Sequence, residues 1–207
     1  MFSPGSIDRN RLLEIARQSL QAAVERRESL ENRPASPVPS GATGAFVTLR
    51  KRGRLRGCIG QVGTGQSLDV VVAHCAKAAA LEDPRFQPVR PDELAEIEIE
   101  ISALSPLQEI SPEAIEAGKH GLMVSRGCQR GLLLPQVATE MAWNSRKLLE
   151  ETCVKAGLER GAWRDRETTI QGFTAEVFSE SEFQREKKPG HEGRPDGRGK
   201  PGYSIST

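Results

Sequence analysis

Aromatic residues are scarce in this sequence, which has six Phe, two Trp and one Tyr among 207 residues. Proteins that bind single-stranded nucleic acid stack the bases on aromatic side chains, so this shortage disfavours that class. An excess of one charge is also lacking, because 29 basic residues face 28 acidic ones. A chain with such a balance produces no long-range field that would attract nucleic acid or a membrane surface.

Long apolar runs and metal-binding spacings are missing as well. No run of 18 apolar residues occurs, so no membrane-spanning helix is predicted, and the start MFSPGSIDRN lacks the basic and apolar regions of a signal peptide. The four cysteines lie far apart without a CxxC pair. This usage predicts reduced thiols in a cytoplasmic protein. It predicts no metal site, and the glycines do not form a nucleotide-binding pattern that would predict a cofactor.

The spacing of apolar residues predicts an α+β protein. Helical spacing indicates a first helix from about 9 to 28, capped by Asp8, and a second helix after Ser67. Over 96–104, Ile alternates with polar residues, which is typical of a half-buried strand in an antiparallel sheet. A last strand is predicted over 168–178. We therefore expect a single antiparallel sheet with flanking helices.

The chain divides into a folded part and a tail. Residues 1–181 are expected to form one domain, in which a Pro-rich connection over 31–40 cannot be helical. Residues 182–207 contain charge, Gly and Pro and very few residues to bury. This composition predicts a disordered basic tail.

An internal repeat organises the folded part. The pattern RGxxRG occurs at 52–57 and again at 126–131, each time in a predicted hairpin. Hairpin, helix and amphipathic strand follow in the same order in both halves, which predicts two structural repeats around the sheet. Cys58 of the first repeat corresponds to Leu132 of the second, so the thiol is not needed to build the unit.

Cys58 is the first candidate catalytic residue. It lies in the segment LRGCIG at 55–60, where Gly57 lets a ligand or another backbone come close. Neighbouring arginines would favour the thiolate, which is the nucleophilic form. His120 is the candidate base, because it opens a strand of the second repeat. The alternatives are that Cys58 is a small buried core residue and that His120 only ends a strand.

Arg56 is the first candidate binding residue, since its guanidinium fork suits a carboxylate or phosphate. The alternative is an internal ion pair, with these candidate partners: Glu98, Glu100 or Asp83.

A second group of candidate binding residues follows the predicted second helix. Glu82, Asp83 and Arg85 either line a pocket beside the thiol or fix their own loop, with Phe86 in the core. Gln136 lies further along, at a strand-to-helix junction where free N–H groups favour an anion.

Six segments of the chain together resemble one family. They are LRGCIG at 55–60, EDPRF at 82–86, LAEIEIEISALSP at 94–106, GKHGLMV at 118–124, GLLLPQVA at 131–138 and TCVKAGL at 152–158. This order over residues 8–180 is similar to the AMMECR domain family, in the bacterial branch known as protein A of the AmmeMemoRadiSam system. The resemblance implies an antiparallel sheet with helices, built from two repeats. It also implies two partners, a Memo-type protein and a radical S-adenosylmethionine (SAM) enzyme.

Three functions are compatible with these features. The first is an accessory component that binds a small anionic ligand or a partner protein at the face of Arg56, Cys58 and His120. The second is an enzyme that uses Cys58 as a nucleophile in a hydrolase, transferase or redox reaction. The third is a nucleic-acid-binding regulator that uses the basic hairpin at 50–54, although the balanced charge and scarce aromatics disfavour it.

Overall fold

The computed structural model describes residues 8–26 and 41–182. The predicted Pro-rich connection lies outside the described residues, and so does the predicted tail apart from Glu182. The helices and strands in chain order are α1 (Arg9–Val24), β1 (Gly44–Lys51), β2 (Arg54–Val62), α2 (Leu68–Leu81), β3 (Ile97–Leu104), β4 (Gln108–Glu109), β5 (Gly121–Arg126), β6 (Gln129–Leu133), α3 (Pro135–Glu140), α4 (Ser145–Lys155), β7 (Thr169–Phe173) and β8 (Ala175–Ser179). Short 3-10 turns occur at Pro91–Glu96, Pro112–Ala114 and Ala162–Arg164.

The first helix begins where the sequence predicts. The Asp8 side chain accepts a hydrogen bond from the Arg11 backbone N–H at 3.1 Å, as expected of an N-cap. The helix ends at Val24 rather than near residue 28, because Arg26 has a φ of 52° and cannot continue it. None of the helices in the described ranges is long and apolar enough to cross a membrane.

The prediction of an α+β fold with antiparallel strands and flanking helices is confirmed, but the strands form two four-stranded sheets instead of a single one. The break falls at Ser105-Pro106, after β3, and at Thr174, between β7 and β8. Pro106 has no N–H to offer to a ladder. The Ser105 hydroxyl instead accepts from the Thr174 backbone N–H at 2.9 Å. The predicted last strand is therefore divided into β7 and β8.

Both sheets have the same strand order, which confirms the two repeats. The first sheet reads β2-β1-β3-β8, and the second reads β6-β5-β7-β4 when it starts from the corresponding hairpin strand. In each sheet the fourth strand comes from the other half of the chain. β4 follows β3 but pairs with β7, while β8 follows β7 but pairs with β3. The two halves thus exchange one strand.

Two equivalent glycines let a helix pack closely on each hairpin. A Cβ atom on Gly57 would lie 2.1 Å from the carbonyl oxygen of Ala79 in α2. A Cβ atom on Gly131 would lie 2.3 Å from the backbone nitrogen of Ala156, at the end of α4. No side chain fits at such distances. The repeated RGxxRG pattern therefore reflects a packing requirement that occurs twice.

Each sheet buries one face under helices. In the first sheet, alternate residues of β1 and β3 are completely buried under α1 and α2: Val47, Leu49, Ile99 and Ile101. In the second sheet, Leu122 and Val124 of β5 pack with Leu148 and Cys153 of α4. The intervening residues of β1, β2 and β3 point to the opposite face, which we call the outer face.

Candidate functional site

Cys58 lies on the outer face of the first sheet, in the edge strand β2. The strand register places Thr48 of β1 directly opposite Cys58, and Glu100 of β3 directly opposite Thr48. The three side chains therefore form one row across three neighbouring strands. Ser102 lies in the next row of the same face. We call Cys58, Thr48, Glu100 and Ser102 the thiol face.

The thiol of Cys58 is half-buried and is held by a hydroxyl group. Thr48 Oγ1 donates to the sulfur at 3.4 Å, and Thr48 itself is buried. Cys75 in α2 is completely buried, and this burial raises the pKa of its thiol to about 11. Cys58 is thus partly accessible, in contrast to the alternative that treated it as a core residue.

The loop after α2 holds the backbone of Cys58 at the open edge of β2. Asp83 accepts from the Cys58 N–H at 2.8 Å, and the Arg85 guanidinium donates to the Cys58 carbonyl at 3.1 Å. Because both backbone groups point away from β1, Cys58 and Thr48 form a non-hydrogen-bonded pair, whose facing side chains lie closest together. The loop therefore supplies the hydrogen bonds that a further strand would form at the open edge of β2, and the thiol lies next to Thr48.

Asp83 and Arg85 are bound to each other as well as to Cys58. The guanidinium donates to both Asp83 oxygens, at 2.9 and 2.7 Å, and this pairing holds the pKa of Asp83 well below its usual range. Asp83 is buried, whereas Glu82 is exposed at the end of α2. Phe86 is half-buried, so it is not the core residue predicted from the sequence. The geometry of Asp83 and Arg85 matches the loop-fixing interpretation.

Arg56 is fully engaged by groups of the chain itself. Its Nε and NH2 donate to the two oxygens of Glu93 at 3.2 and 2.9 Å, and NH1 donates to the Gln87 carbonyl at 2.9 Å. This bidentate bond lowers the pKa of Glu93 to about 2. The partner is a carboxylate, but none of the three considered from the sequence, because the 3-10 turn at Pro91–Glu96 brings Glu93 to this position. A small anion at Arg56 would have to displace it.

His120 is bonded within its own turn. Its Nδ1 accepts from the backbone N–H of Glu116 at 3.1 Å. Within residues 8–26 and 41–182, no hydrogen bond joins His120 to Cys58. In the described part of the chain the sulfur accepts a hydrogen bond from Thr48, a residue that the sequence did not single out, and the Arg85 guanidinium also interacts with the thiol.

Gln136 reaches the thiol face from the second half of the chain. Its Nε2 donates to the hydroxyl of Ser102, which is buried, at 2.9 Å. Its Oε1 is buried without a hydrogen-bond partner. Gln136 thus joins the start of α3 to the first sheet, one row from Cys58.

Glu100 is the carboxyl group of the thiol face, and the sequence did not predict that it lies in the same row as Cys58. Burial raises its pKa; Arg50, 3.7 Å away, opposes this shift, and Glu140, Glu98 and Glu182 add to it. The alternation of residues 96–104 places Glu100 on the polar face of its strand. Its position in the row of Cys58 depends on pairing with β1, which the alternation does not contain.

The basic hairpin of β1 and β2 is largely neutralised. Lys51 donates to Glu93 at 3.0 Å, and Arg52 pairs with Glu96 at 2.5 Å. The Arg50 guanidinium faces Glu100. The hairpin therefore offers a phosphate backbone fewer free cations than its sequence suggests.

Comparison with known proteins gives relatives that match most of the chain. A protein of Methanothermobacter thermautotrophicus is 40% identical over 188 residues, which covers 86% of this chain and 98% of that protein. A protein of Aquifex aeolicus is 37% identical over 184 residues, covering 85% and 94%. The crystal structure of uncharacterized protein PH0010 from Pyrococcus horikoshii has a TM-score of 0.76 at 33% identity and covers 86% of this chain and 93% of its own. A family model described as AMMECR1 matches residues 13–178.

Proposed function

Because the chain belongs to the AMMECR1 family, we propose that it is a cytoplasmic accessory component that binds a ligand or partner protein at the thiol face. The family resemblance suggests the partners, which are a Memo-type protein and a radical SAM enzyme. The proposed role is recognition, with Cys58 at the centre of the recognised surface.

One observation carries this proposal. Asp83 and Arg85 hold the N–H and the carbonyl of Cys58 at 2.8 and 3.1 Å, while the thiol stays half-exposed on the outer face. A group that is fixed before binding loses little conformational freedom when a partner arrives. This rigid presentation favours recognition.

The surroundings of the sulfur favour binding over catalysis. A nucleophilic thiol needs a base within hydrogen-bond reach, and the sulfur here is bonded to the Thr48 hydroxyl. The arginine forks that would bind an anionic substrate are engaged by Glu93 and Asp83.

The experiment is a calorimetric titration of the full chain with the purified Memo-type protein and with the radical SAM enzyme. Val177 is an exposed apolar residue of β8 opposite Ser102, so it borders the thiol face. We expect Val177→Glu to weaken binding about tenfold or more, since a charge opposes burial of this surface. Val154→Glu is the matched control, because Val154 is similarly exposed on α4.

Binding that is equally weakened by both valine variants would contradict the thiol face as the binding surface. The absence of binding to either protein would contradict the proposed partners.

The second candidate is an enzyme with Cys58 as nucleophile, which is supported by the hydroxyl donor on a half-exposed sulfur. In the native protein, we expect iodoacetamide to modify Cys58 at least tenfold faster than Cys75, whose thiol is buried with a raised pKa. Peptide mapping by mass spectrometry measures both rates. Equal rates for the two residues would exclude thiol chemistry.

A further inference from the structure

The two edges of the first sheet differ in what they offer to another chain. At one edge, Asp83 and Arg85 bond to the backbone of Cys58 in β2. The other edge is β8, which is five residues long and pairs with β3. Within residues 8–26 and 41–182, no strand pairs with the far side of β8. Unpaired backbone groups on an edge strand are a template for a further strand.

The hydrogen bonds of β3 show that the backbone of Val177 points to this open edge. The Ile99 N–H donates to the side chain of Glu180, just after β8, at 2.9 Å, so the backbone groups of Ile99 point toward β8. This direction alternates along an antiparallel strand, so Ser102, three residues further, points away from β8. Val177 lies opposite Ser102. The two form a non-hydrogen-bonded pair, which leaves the N–H and carbonyl of Val177 to a further strand.

The open edge of β8 lacks the devices that keep edge strands apart. By the same alternation, three residues with uncharged side chains direct their backbone groups outward: Ala175, Val177 and Ser179. Val177 is 38% exposed. The charged residue of β8, Glu176, is buried and forms an ion pair with Arg9. Edge strands avoid pairing by an outward charge, a proline or a bulge, and β8 has a continuous register without any of these.

We propose that β8 is the docking site of a second copy of this chain, whose own β8 pairs antiparallel to it about a twofold axis at Val177. Each Val177 N–H then donates to the Val177 carbonyl of the other copy, and the two first sheets become continuous. Ala175 of each copy lies opposite Ser179 of the other, so no charged side chain meets a like charge. The Val177 side chains stay on the outer face, because the pairing uses the backbone. This contact goes beyond the proposed function and needs neither of its partners.

Sedimentation velocity of the full chain, alone in solution, measures this association. We expect a dimer with a dissociation constant on the order of 10 μM, as for a small interface. Val177→Pro removes an outward N–H and leaves the bonds to β3 in place, so it should fold and raise the dissociation constant about tenfold or more.

Glu109→Pro is the matched control, because it changes the corresponding edge strand of the second sheet. The Ile110 N–H donates to the Ile170 carbonyl of β7 at 3.2 Å, so the backbone of Glu109 also points outward. This variant should associate like the wild type. Circular dichroism reports whether each proline variant is folded.

A cross-link tests the position of the twofold axis. The Cα atoms of a hydrogen-bonded pair lie about 5.5 Å apart, a distance that a disulfide can span. Cys128→Ser first removes the exposed native thiol. In that background, diamide should convert most of the Val177→Cys chain to a covalent dimer, but little of the Val154→Cys chain, which is altered at a similarly exposed valine of α4. Non-reducing gel electrophoresis measures both, and it decides the matter if Val177→Pro does not fold.

Three results would overturn the proposal. They are a monomer at every concentration, equal dissociation constants for Val177→Pro and the wild type, and equal cross-linking of Val177→Cys and Val154→Cys. A chain that stays monomeric, but whose Val177→Pro variant loses binding to the Memo-type protein, would assign the edge to a strand of that protein instead. Self-association is measured without the proposed partners, so its failure is distinct from a failure of the partner titration.

Discussion

The two repeats carry different chemistry on the same row of the sheet. In the first half, Cys58, Thr48 and Glu100 follow one another across β2, β1 and β3. In the second half, the corresponding row across β6, β5 and β7 consists of Leu132, Met123 and Gln171. The second row has no titratable group, yet it supports the same strand order. The fold therefore does not require the polar row, which points to a functional origin for it.

The largest expected effect tests whether the two halves are packed alike at their equivalent glycines. Gly57→Ala and Gly131→Ala should each lower the free energy of unfolding by about 3 kcal/mol, because a Cβ overlaps helix backbone in both cases. Urea denaturation of the two variants measures this. A large loss in only one of them would show that the repeats are not packed alike.

An intermediate effect concerns an ion pair of the first half. The bidentate bond to Arg56 lowers the pKa of Glu93 from its ordinary value of 4.5 to about 2. Because the folded-state value is the lower one, the stabilisation is complete above about pH 4.5 and is lost as the pH falls toward 2. We expect Glu93→Gln to cost about 2 kcal/mol at neutral pH.

Acid denaturation of the wild type and of Glu93→Gln, followed by circular dichroism, measures how this loss of stability depends on pH. The difference between wild type and Glu93→Gln should disappear as the pH approaches 2, where the carboxyl group is protonated. A constant difference at every pH would mean that packing, and not the charge, is responsible. Arg130→Gln is the control, because Arg130 takes the place of Arg56 in the second repeat and is exposed.

The smallest effect concerns Glu100, the third residue of the first row, whose counterpart in the second row is the uncharged Gln171. Burial raises the pKa of Glu100, so its ionised form is disfavoured in the folded state. The folded protein is thus destabilised by this group at neutral pH and gains stability as the pH falls toward the ordinary value of 4.5. Glu100→Gln should therefore raise the urea midpoint slightly at neutral pH. A lower midpoint would show that the carboxylate stabilises the fold.

Local features of the fold were predictable from the sequence because they depend on neighbouring residues. The alternation over 96–104 gives β3 within one residue. Asp8 caps α1, and Gly157 has the left-handed conformation expected where α4 ends, with a φ of 75°. Periodicity and capping are short-range physics, so they are visible without coordinates.

Features that depend on distant pairing were not predictable. The row that joins Cys58 to Glu100 requires the registers of three strands. The partner of Arg56 is set by a 3-10 turn 37 residues further along. The division into two sheets follows from Pro106 and the Ser105–Thr174 contact, each of which has little weight in a sequence pattern. The direct link between Cys58 and His120 stays a prediction, since their described hydrogen bonds lead elsewhere.

The exchange of β4 and β8 has a consequence for the origin of the molecule. A half-length ancestor with this topology would have contributed its fourth strand to the sheet of a second copy and received the fourth strand of that copy in return. Such an ancestor would have been an obligate homodimer in which each subunit completed the other. Fusion of two such copies would leave the outer rows of the two halves free to differ, as Cys58 and Leu132 do, on a scaffold that both halves complete.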